Sequence, residues 1–261
     1  MEIICFLVAL FACTIGSICG MGGGVIIKPV LDALNLYPVS TINFMSGCTV
    51  LCMSAWSVFM VFVKKESEIE LRISTFLAIS AAIGGLTGKV LYQKIASLFA
   101  DSDTAGGVQA CVLLLATFLT FLYTLNKSKF QAKQITSPWV CLAIGFILGN
   151  LGSFLGIGGG PFNVAVLYFF FSMSTKRAAQ NSLYIIVFSQ ATGLARTLIS
   201  SGVPELKLWV LAAMVVMGVL GSMLGRRINK KLSEKGATRL FEGAMLLVMC
   251  INVYNIIRFF S

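Results

Sequence analysis

The chain has no histidine, only ten acidic residues and five prolines in 261 positions, and just 11% of it is charged. Without histidine there is no Ser-His or Cys-His catalytic pair. Eight cysteines are present, Cys5, Cys13, Cys19, Cys48, Cys52, Cys111, Cys141 and Cys250, but none are spaced Cys-x-x-Cys and all fall in apolar stretches. Neither a disulfide framework nor a zinc site is expected from them, and they read as small buried hydrophobes. Acidic residues are almost missing from the apolar segments, so no carboxylate pair offers a cage for sodium or a divalent metal, and no metal or cofactor is expected. Nucleotide motifs fail as well. Val25 and Pro161 stand where a Gly-x-Gly-x-x-Gly pattern needs its third glycine, and Gly88-Lys89 is followed by Val90, which rules out a phosphate-binding loop of the Walker type. An enzyme is not expected. The start, Met1-Glu2-Ile3-Ile4, lacks the basic residues of a secretory leader, so the first apolar segment reads as a retained membrane helix.

What the chain has is apolar length. It is 57% hydrophobic with a mean hydropathy of +0.91, in continuous runs of the roughly 18 or more residues that cross a bilayer. The runs do not alternate, which argues against a β-barrel. The net charge of +10 sits between the runs, where Lys and Arg are expected for topological reasons. Nucleic acid is therefore not an expected partner; membrane lipid is.

The apolar segments are expected at Ile3–Cys19, Val25–Leu36, Val39–Val63, Ile73–Leu91 and Val108–Leu125, and after a polar linker at Trp139–Leu155, Pro161–Phe171, Ala178–Ile199, Leu208–Leu224 and Leu240–Phe260. The two sets superpose at a shift of 136: Gly16, Ser17, Gly20, Gly22, Gly23 and Gly24 fall on Gly152, Ser153, Gly156, Gly158, Gly159 and Gly160, and Leu31, Ser46, Ala55 and Gly85 on Leu167, Ser182, Ala191 and Gly221. So many glycines in phase indicate internal duplication: residues 1–125 as a first transmembrane repeat, 126–137 as a linker and 138–261 as a second repeat. Each repeat carries one Gly-x-Gly-Gly-Gly break in its membrane segment. Consecutive glycines are poor helix formers, and broken backbone at membrane depth survives only inside protein or beside a water-filled cavity. Matching breaks in two repeats point to a transporter's substrate site.

Loop charge decides between parallel and inverted repeats. If the short segment after each break returns to its starting side, Lys64, Lys65, Arg72, Lys127, Lys129, Lys133, Lys176, Arg177, Arg226, Arg227, Lys230, Lys231, Lys235 and Arg239 share one side, fourteen against four (Lys89, Lys94, Lys207 and Arg258). If it merely extends the preceding span, the split is ten against eight. The positive-inside rule prefers the first. The expected fold is thus an all-α polytopic membrane protein of two inverted repeats, each of about four long helices plus a short broken or re-entrant helix after the Gly-x-Gly-Gly-Gly break. It would be multi-pass in the cell membrane with both termini outside the cytoplasm; a homo-oligomer is open. Gly84 and Gly88, and Gly221 and Gly225, have the GxxxG spacing that lets helices pack closely in lipid.

The stretch Gly20-Met-Gly-Gly-Gly-Val-Ile-Ile-Lys-Pro-Val-Leu31 and its repeat Gly156-Ile-Gly-Gly-Gly-Pro-Phe-Asn-Val-Ala-Val-Leu167 resemble the sulfite exporter TauE/SafE family, in which a Gly-x-Gly-Gly-Gly motif followed by aliphatics, Pro and Leu occurs once per repeat. The resemblance covers essentially the whole chain. It implies a secondary transporter for a small sulfur-containing anion such as sulfite or an organosulfonate. Lys28 departs from the pattern, standing where the family often has an aliphatic residue, and Ala165 stands where the first copy has Pro29.

The residues reach an anion by another route. A helix that starts after a break presents unpaired N–H groups and a positive dipole end, and Pro161 suits a first helical position. Gly158, Gly159 and Gly160, and by symmetry Gly22, Gly23 and Gly24, would form two helix starts that cradle an anion. Polar side chains follow each break: Asn43 and Ser46 in one half, Gln180, Asn181 and Ser182 in the other. Two uses stand for them, oxyanion coordination or hydrogen bonding between helices. Lys28 and Arg196 lie at membrane depth, as substrate counter-ions or as snorkelling cations. Asp32, one turn beyond Lys28, either pairs with it or carries a coupling proton. The expected function is a secondary-active transporter of a small oxyanion working by alternating access; an anion channel or a non-transporting membrane scaffold are the alternatives.

Overall fold

The computed structural model describes residues 2–99, 102–127 and 133–260. Lys129 and part of the linker lie outside the described residues. The described residues form ten helices and no strand: α1 (Glu2–Cys19), α2 (Gly24–Leu34), α3 (Val39–Val63), α4 (Leu71–Ala96), α5 (Ser102–Leu125), α6 (Pro138–Phe154), α7 (Pro161–Phe171), α8 (Thr175–Ser201), α9 (Leu208–Lys231) and α10 (Glu234–Phe260). Seven of them are long and apolar enough to cross a membrane. The short helices α2 and α7 follow the glycine breaks, as expected. Four boundaries differ from expectation by five residues or more. α4 runs on to Ala96, α5 begins at Ser102, α9 runs on to Lys231, and α10 begins at Glu234. Apolar runs mark the hydrocarbon only. A helix can continue through the headgroups, and cations such as Lys230 and Lys231 in a last turn favour its negative end.

The chain doubles back at each break. Gly20 and Gly22 have φ of 71° and 70°, and Gly156 and Gly158 have 69° and 77°, values that only glycine adopts readily. In the first break a Cβ on Gly16 would lie 2.6 Å from the Gly22 carbonyl carbon and the Gly23 nitrogen, and one on Gly23 would lie 2.5 Å from the Cys13 sulfur, so α2 runs back along α1. In the second, the Gly158 amide donates to the Gly152 carbonyl (3.0 Å). The Lys133 and Ile135 amides donate to Phe169 and Phe170 (2.7 and 3.0 Å), which brings the end of α7 beside the segment leading into α6. The short helices therefore return rather than extend the preceding spans.

The halves interlock. α4 packs on α6 and α9 on α1, α2 meets α10 and α7 meets α5, a pattern unchanged when the halves are exchanged. The GxxxG glycines make the first two contacts. Gly84 and Gly88 lie against the Phe146 and Asn150 carbonyls, and Gly221 and Gly225 against those of Leu10 and Thr14. α3 and α8 run in opposite directions, as do α5 and α10. Along α3 and α8, Gly47 faces Leu194 while Val50 and Ile186 meet at Gly22; along α5 and α10, Gly106 faces Phe259 while Lys127 reaches Thr238 (3.4 Å). The basic loops meet at one end of the bundle. There Arg226 and Lys230 bind Glu66, Arg177 pairs with Glu70, and Lys176 donates to the Leu232 carbonyl (2.5 Å). The Lys207–Glu2 pair (2.9 Å) is at the other end.

Large apolar side chains such as Phe11, Leu115 and Ile257 point outward, each more than half exposed. Two expectations change here. Cys111 and Cys250 are exposed rather than buried, which an apolar periphery facing lipid tolerates. Lys89, taken as a loop charge, is inside α4 and buried.

Candidate functional site

Two cavities enter the bundle from opposite ends. The one at the basic end, of about 260 Å³, is lined by Ser17, Ser57, Glu66, Lys176, Ala179, Gln180, Arg226, Asn229 and Lys230 among others. The one at the far end, of about 470 Å³, is lined by Ser40, Asn43, Phe44, Lys89, Tyr92, Gln93, Thr197 and Pro204 among others. The duplication relates them. A shift of 136 carries Ser40, Asn43 and Phe44 onto Lys176, Ala179 and Gln180; a shift of 137 carries Lys89, Tyr92 and Gln93 onto Arg226, Asn229 and Lys230. One residue lining each cavity touches a glycine break. Ala179 lies against Gly20, and Asn43 against Gly156. Between them the breaks touch: a Cβ on Gly24 would sit 2.5 Å from the Ile157 carbonyl oxygen.

Both helices after the breaks start without a side-chain cap, α2 from Gly23 and α7 from Gly160. Their first amides keep the positive end of the helix unneutralised. Around the second break several buried polar atoms also have no protein partner: Asn43 Oδ1, Ser46 Oγ, Ser153 Oγ, Asn163 Oδ1 and Gln190 Nε2. Of these, Asn43 lies against Gly156, Gln190 against Gly158 and Asn163 beside Gly159. Buried polar groups normally find partners, so this concentration suits a place where water or a polar ligand completes them.

The remaining candidates separate. Ser182 Oγ donates to the Gly20 carbonyl (2.6 Å) and so holds the first break to α8, whereas its sequence counterpart Ser46 makes no such bond. Asn181 is fully engaged. Its Oδ1 accepts from the Glu70 amide (2.9 Å) and Ser74 Oγ (2.5 Å), and its Nδ2 donates to the carbonyls of Glu68 (3.2 Å) and Arg177 (2.7 Å). Gln180 accepts from the Glu68 amide (3.0 Å) while lining the basic-end cavity. These two side chains strap the α3–α4 loop to α8. Lys28 and Asp32 form a 2.6 Å ion pair, 3% exposed on each side, and line neither cavity. The pair cancels the charge that either would bring to a site. Arg196 is half-buried, its Nε without a hydrogen-bond partner, and also lines neither cavity.

Three groups escaped the sequence reading: Lys89, Tyr92 and Arg226. Lys89 is 6% exposed and its Nζ lies 5.8 Å from the Tyr92 ring centroid, within cation–π range. The signal was available, since a cation directly follows the GxxxG pair in each half, Gly88-Lys89 and Gly225-Arg226. At the basic end, Glu66 accepts from Arg226 (2.9 Å) and Lys230 (2.5 Å), and these bonds hold its carboxyl below the usual glutamate range. Among the described residues no cluster of side chains could hold a metal ion.

An internally duplicated helical bundle, apolar on its outside and entered from both ends by cavities whose walls touch broken helices, is the architecture of a multi-pass membrane transporter. The chain belongs to the Sulfite exporter TauE/SafE family, which it matches over residues 5–253. It is 26% identical over 275 residues to the probable membrane transporter protein YunE of Bacillus subtilis (strain 168), an alignment that covers 97% of each chain. No solved structure matches it.

Proposed function

We propose that the protein is a secondary-active transporter that carries a small oxyanion, sulfite or an organosulfonate, across the cell membrane by alternating access. The observation that carries this reading is the pair of equivalent cavities, one open to each end, with the two glycine breaks in contact between them. The breaks form the midplane site. Uncapped helix starts, with the Gln190 Nε2 and the Ser46 and Ser153 hydroxyls as donors beside them, receive the anion, and the halves rock about it as inverted repeats. The opposed directions of α3 and α8 and of α5 and α10 support that symmetry. With basic loops on the cytoplasmic side, both termini lie outside. The sulfur chemistry comes from the family. Protons or the membrane potential supply the drive, since among the described residues no acidic cage for a metal cation accompanies the site.

A channel is disfavoured because the cavities touch different breaks. Proteoliposomes loaded with sulfite test the proposal. Saturable efflux that external sulfite or taurine accelerates by exchange is expected. Currents far above transporter turnover, indifferent to counter-substrate, would refute it. A scaffold would show neither flux nor exchange.

A further inference from the structure

The two cavities share a wall motif that differs in one respect. α4 presents Gly84-x-x-x-Gly88-Lys89-x-x-Tyr92-Gln93 and α9 presents Gly221-x-x-x-Gly225-Arg226-x-x-Asn229-Lys230. In both, the glycines seat the helix on the first helix of the other half, which fixes the next residue, a cation, on the cavity wall. At the basic end that cation has a counter-charge, although its Nη1 is buried without a hydrogen-bond partner. One Glu66 carboxylate gives an oxygen to Arg226 and the other to Lys230, the two-oxygen engagement by which cations take an oxyanion. At the far end Lys89 has no such partner among the described residues. The α8–α9 loop places Pro204 on that wall, and its Glu205 is exposed. A buried ammonium without a counter-charge is unfavourable, and this one borders a cavity roomy enough for a small hydrated anion. The loop that carries Glu66 is not loose, since Gln180 and Asn181 strap it at Glu68 and Glu70.

We propose that the cavities hold one oxyanion site written twice: Lys89, beside Tyr92, receives the free anion at the far end, while at the basic end the Glu66 carboxylate occupies the anion's place on Arg226 and Lys230. Glu66 is thus a tethered competitor. An anion docks on Arg226 only when the Glu66 side chain swings away, so Glu66 gates one end and leaves the other open. The inference rests on the reading of the substrate as an oxyanion.

The test uses the full-length protein in detergent, where both ends are accessible. A cysteine is placed in each cavity, Ser57→Cys at the basic end and Ser40→Cys at the far end. The rates of modification by an anionic reagent, methanethiosulfonate ethylsulfonate, and by a cationic one, its ethyltrimethylammonium analogue, are read at each site by peptide mass spectrometry. Glu66→Gln should raise the anionic-to-cationic rate ratio at the basic-end cysteine by about five- to tenfold and leave the far-end ratio unchanged. Lys89→Gln should lower the far-end ratio by a similar factor, and Lys89→Arg, which keeps the charge, should hold it near wild type. That rescue separates a charge effect from a folding defect. Ratios that ignore both substitutions, or a change at the wrong end, would overturn the proposal. Sulfite added as a protectant reports separately: if the ratios move as expected but sulfite protects neither cysteine, the sulfur assignment fails and the paired anion sites stand.

Discussion

Replacing Gly24 by alanine drives a wedge between the two repeats. The new Cβ would lie 2.5 Å from the Ile157 carbonyl oxygen and 3.0 Å from Ile157 C and Cα. All three are backbone atoms, so the clash is relieved only by moving one break away from the other by an appreciable part of an ångström. Overpacking of this kind costs about 1–3 kcal/mol. Gly22→Ala is a different perturbation. Its Cβ would meet nothing closer than 3.4 Å, at Val50, but the backbone has φ 70°, and a side chain there costs about 1–2 kcal/mol in strain. Gly159→Ala is different again. Its Cβ would strike the side-chain atoms Cγ1 and Cδ1 of Ile186 at 2.5 and 2.6 Å. The three losses are of similar size, so stability alone does not separate them, but second-site rescue does. Ile186→Ala should restore Gly159→Ala to within about 1 kcal/mol of the Ile186→Ala parent, whereas Ile157→Ala should do nothing for Gly24→Ala because the obstacle is main chain. Gly243→Ala, where nothing lies within 4 Å, is the control and should be neutral or stabilising by about 1 kcal/mol. Thermal unfolding of the purified protein gives the stabilities, and exchange in proteoliposomes shows whether wedging the breaks apart abolishes transport. Rescue of Gly24→Ala by Ile157→Ala, or a Gly24→Ala protein of unchanged melting temperature and exchange rate, would refute the contact between the breaks.

Three further outcomes are expected. Lys28→Met and Asp32→Asn should each destabilise by about 3–5 kcal/mol by stranding the other charge, while the double variant recovers most of the loss in a thermal double-variant cycle; simple additivity would mean that the two do not act as a pair. Asn181→Ala removes the bonds that hold the α3–α4 loop, at about 1–3 kcal/mol, and should let trypsin cut at Lys64 and Lys65 in the folded protein, seen as two fragments on a gel. Because its partners hold Glu66 below the usual glutamate value of 4.5, its pairing with Arg226 and Lys230 is complete above that value and lost as the pH falls through the lowered one. Labelling of Ser57→Cys by the anionic reagent, corrected for thiolate fraction, should therefore be flat between about pH 8 and pH 5; a step within that range would assign the gate to another group.

The bundle was legible in the sequence because lipid is a strict solvent. Apolar runs had to be helices, and glycines repeating in phase had to be structural, so the segments, the short helices and their return all follow from hydropathy and loop charge. The helix ends were not legible, because helices such as α4 and α9 persist beyond the hydrocarbon into charged sequence. Side-chain pairing was less so. Asn181 and Ser182 follow the second repeat's break as Ser46 follows the first, yet Asn181 ties a loop, Ser182 ties a break and Ser46 makes no bond. Nothing in the residue types distinguishes these uses; the facing residue does, and it comes from the other half. Lys89 was misplaced for a related reason. Hydropathy ends the segment near Leu91, which makes a cation at 89 look like a loop charge, whereas the Gly84 and Gly88 contacts with α6 carry it inside.

Duplication also supplies an internal control that a single-repeat protein lacks. Where the halves agree, as in the breaks and the GxxxG seats, the requirement is the two-fold frame itself. Where they differ at equivalent positions, symmetry offers no reason for the difference, and it has to serve one side of the membrane and not the other. Several differences fall on the cavity walls: Asn43 against Ala179, Tyr92 against Asn229, Lys89 against Arg226, and Glu66 offered to one cation with no equivalent at the other among the described residues. A carrier whose two access routes were identical would bind its anion equally from both sides and leave net direction to the gradients alone. Under the proposed function, divergence in the vestibules would change how readily an anion is captured at each end without altering a site between the breaks. On this argument, exchanging the wall residues between the halves should change the apparent affinity on each side without changing which anion is carried.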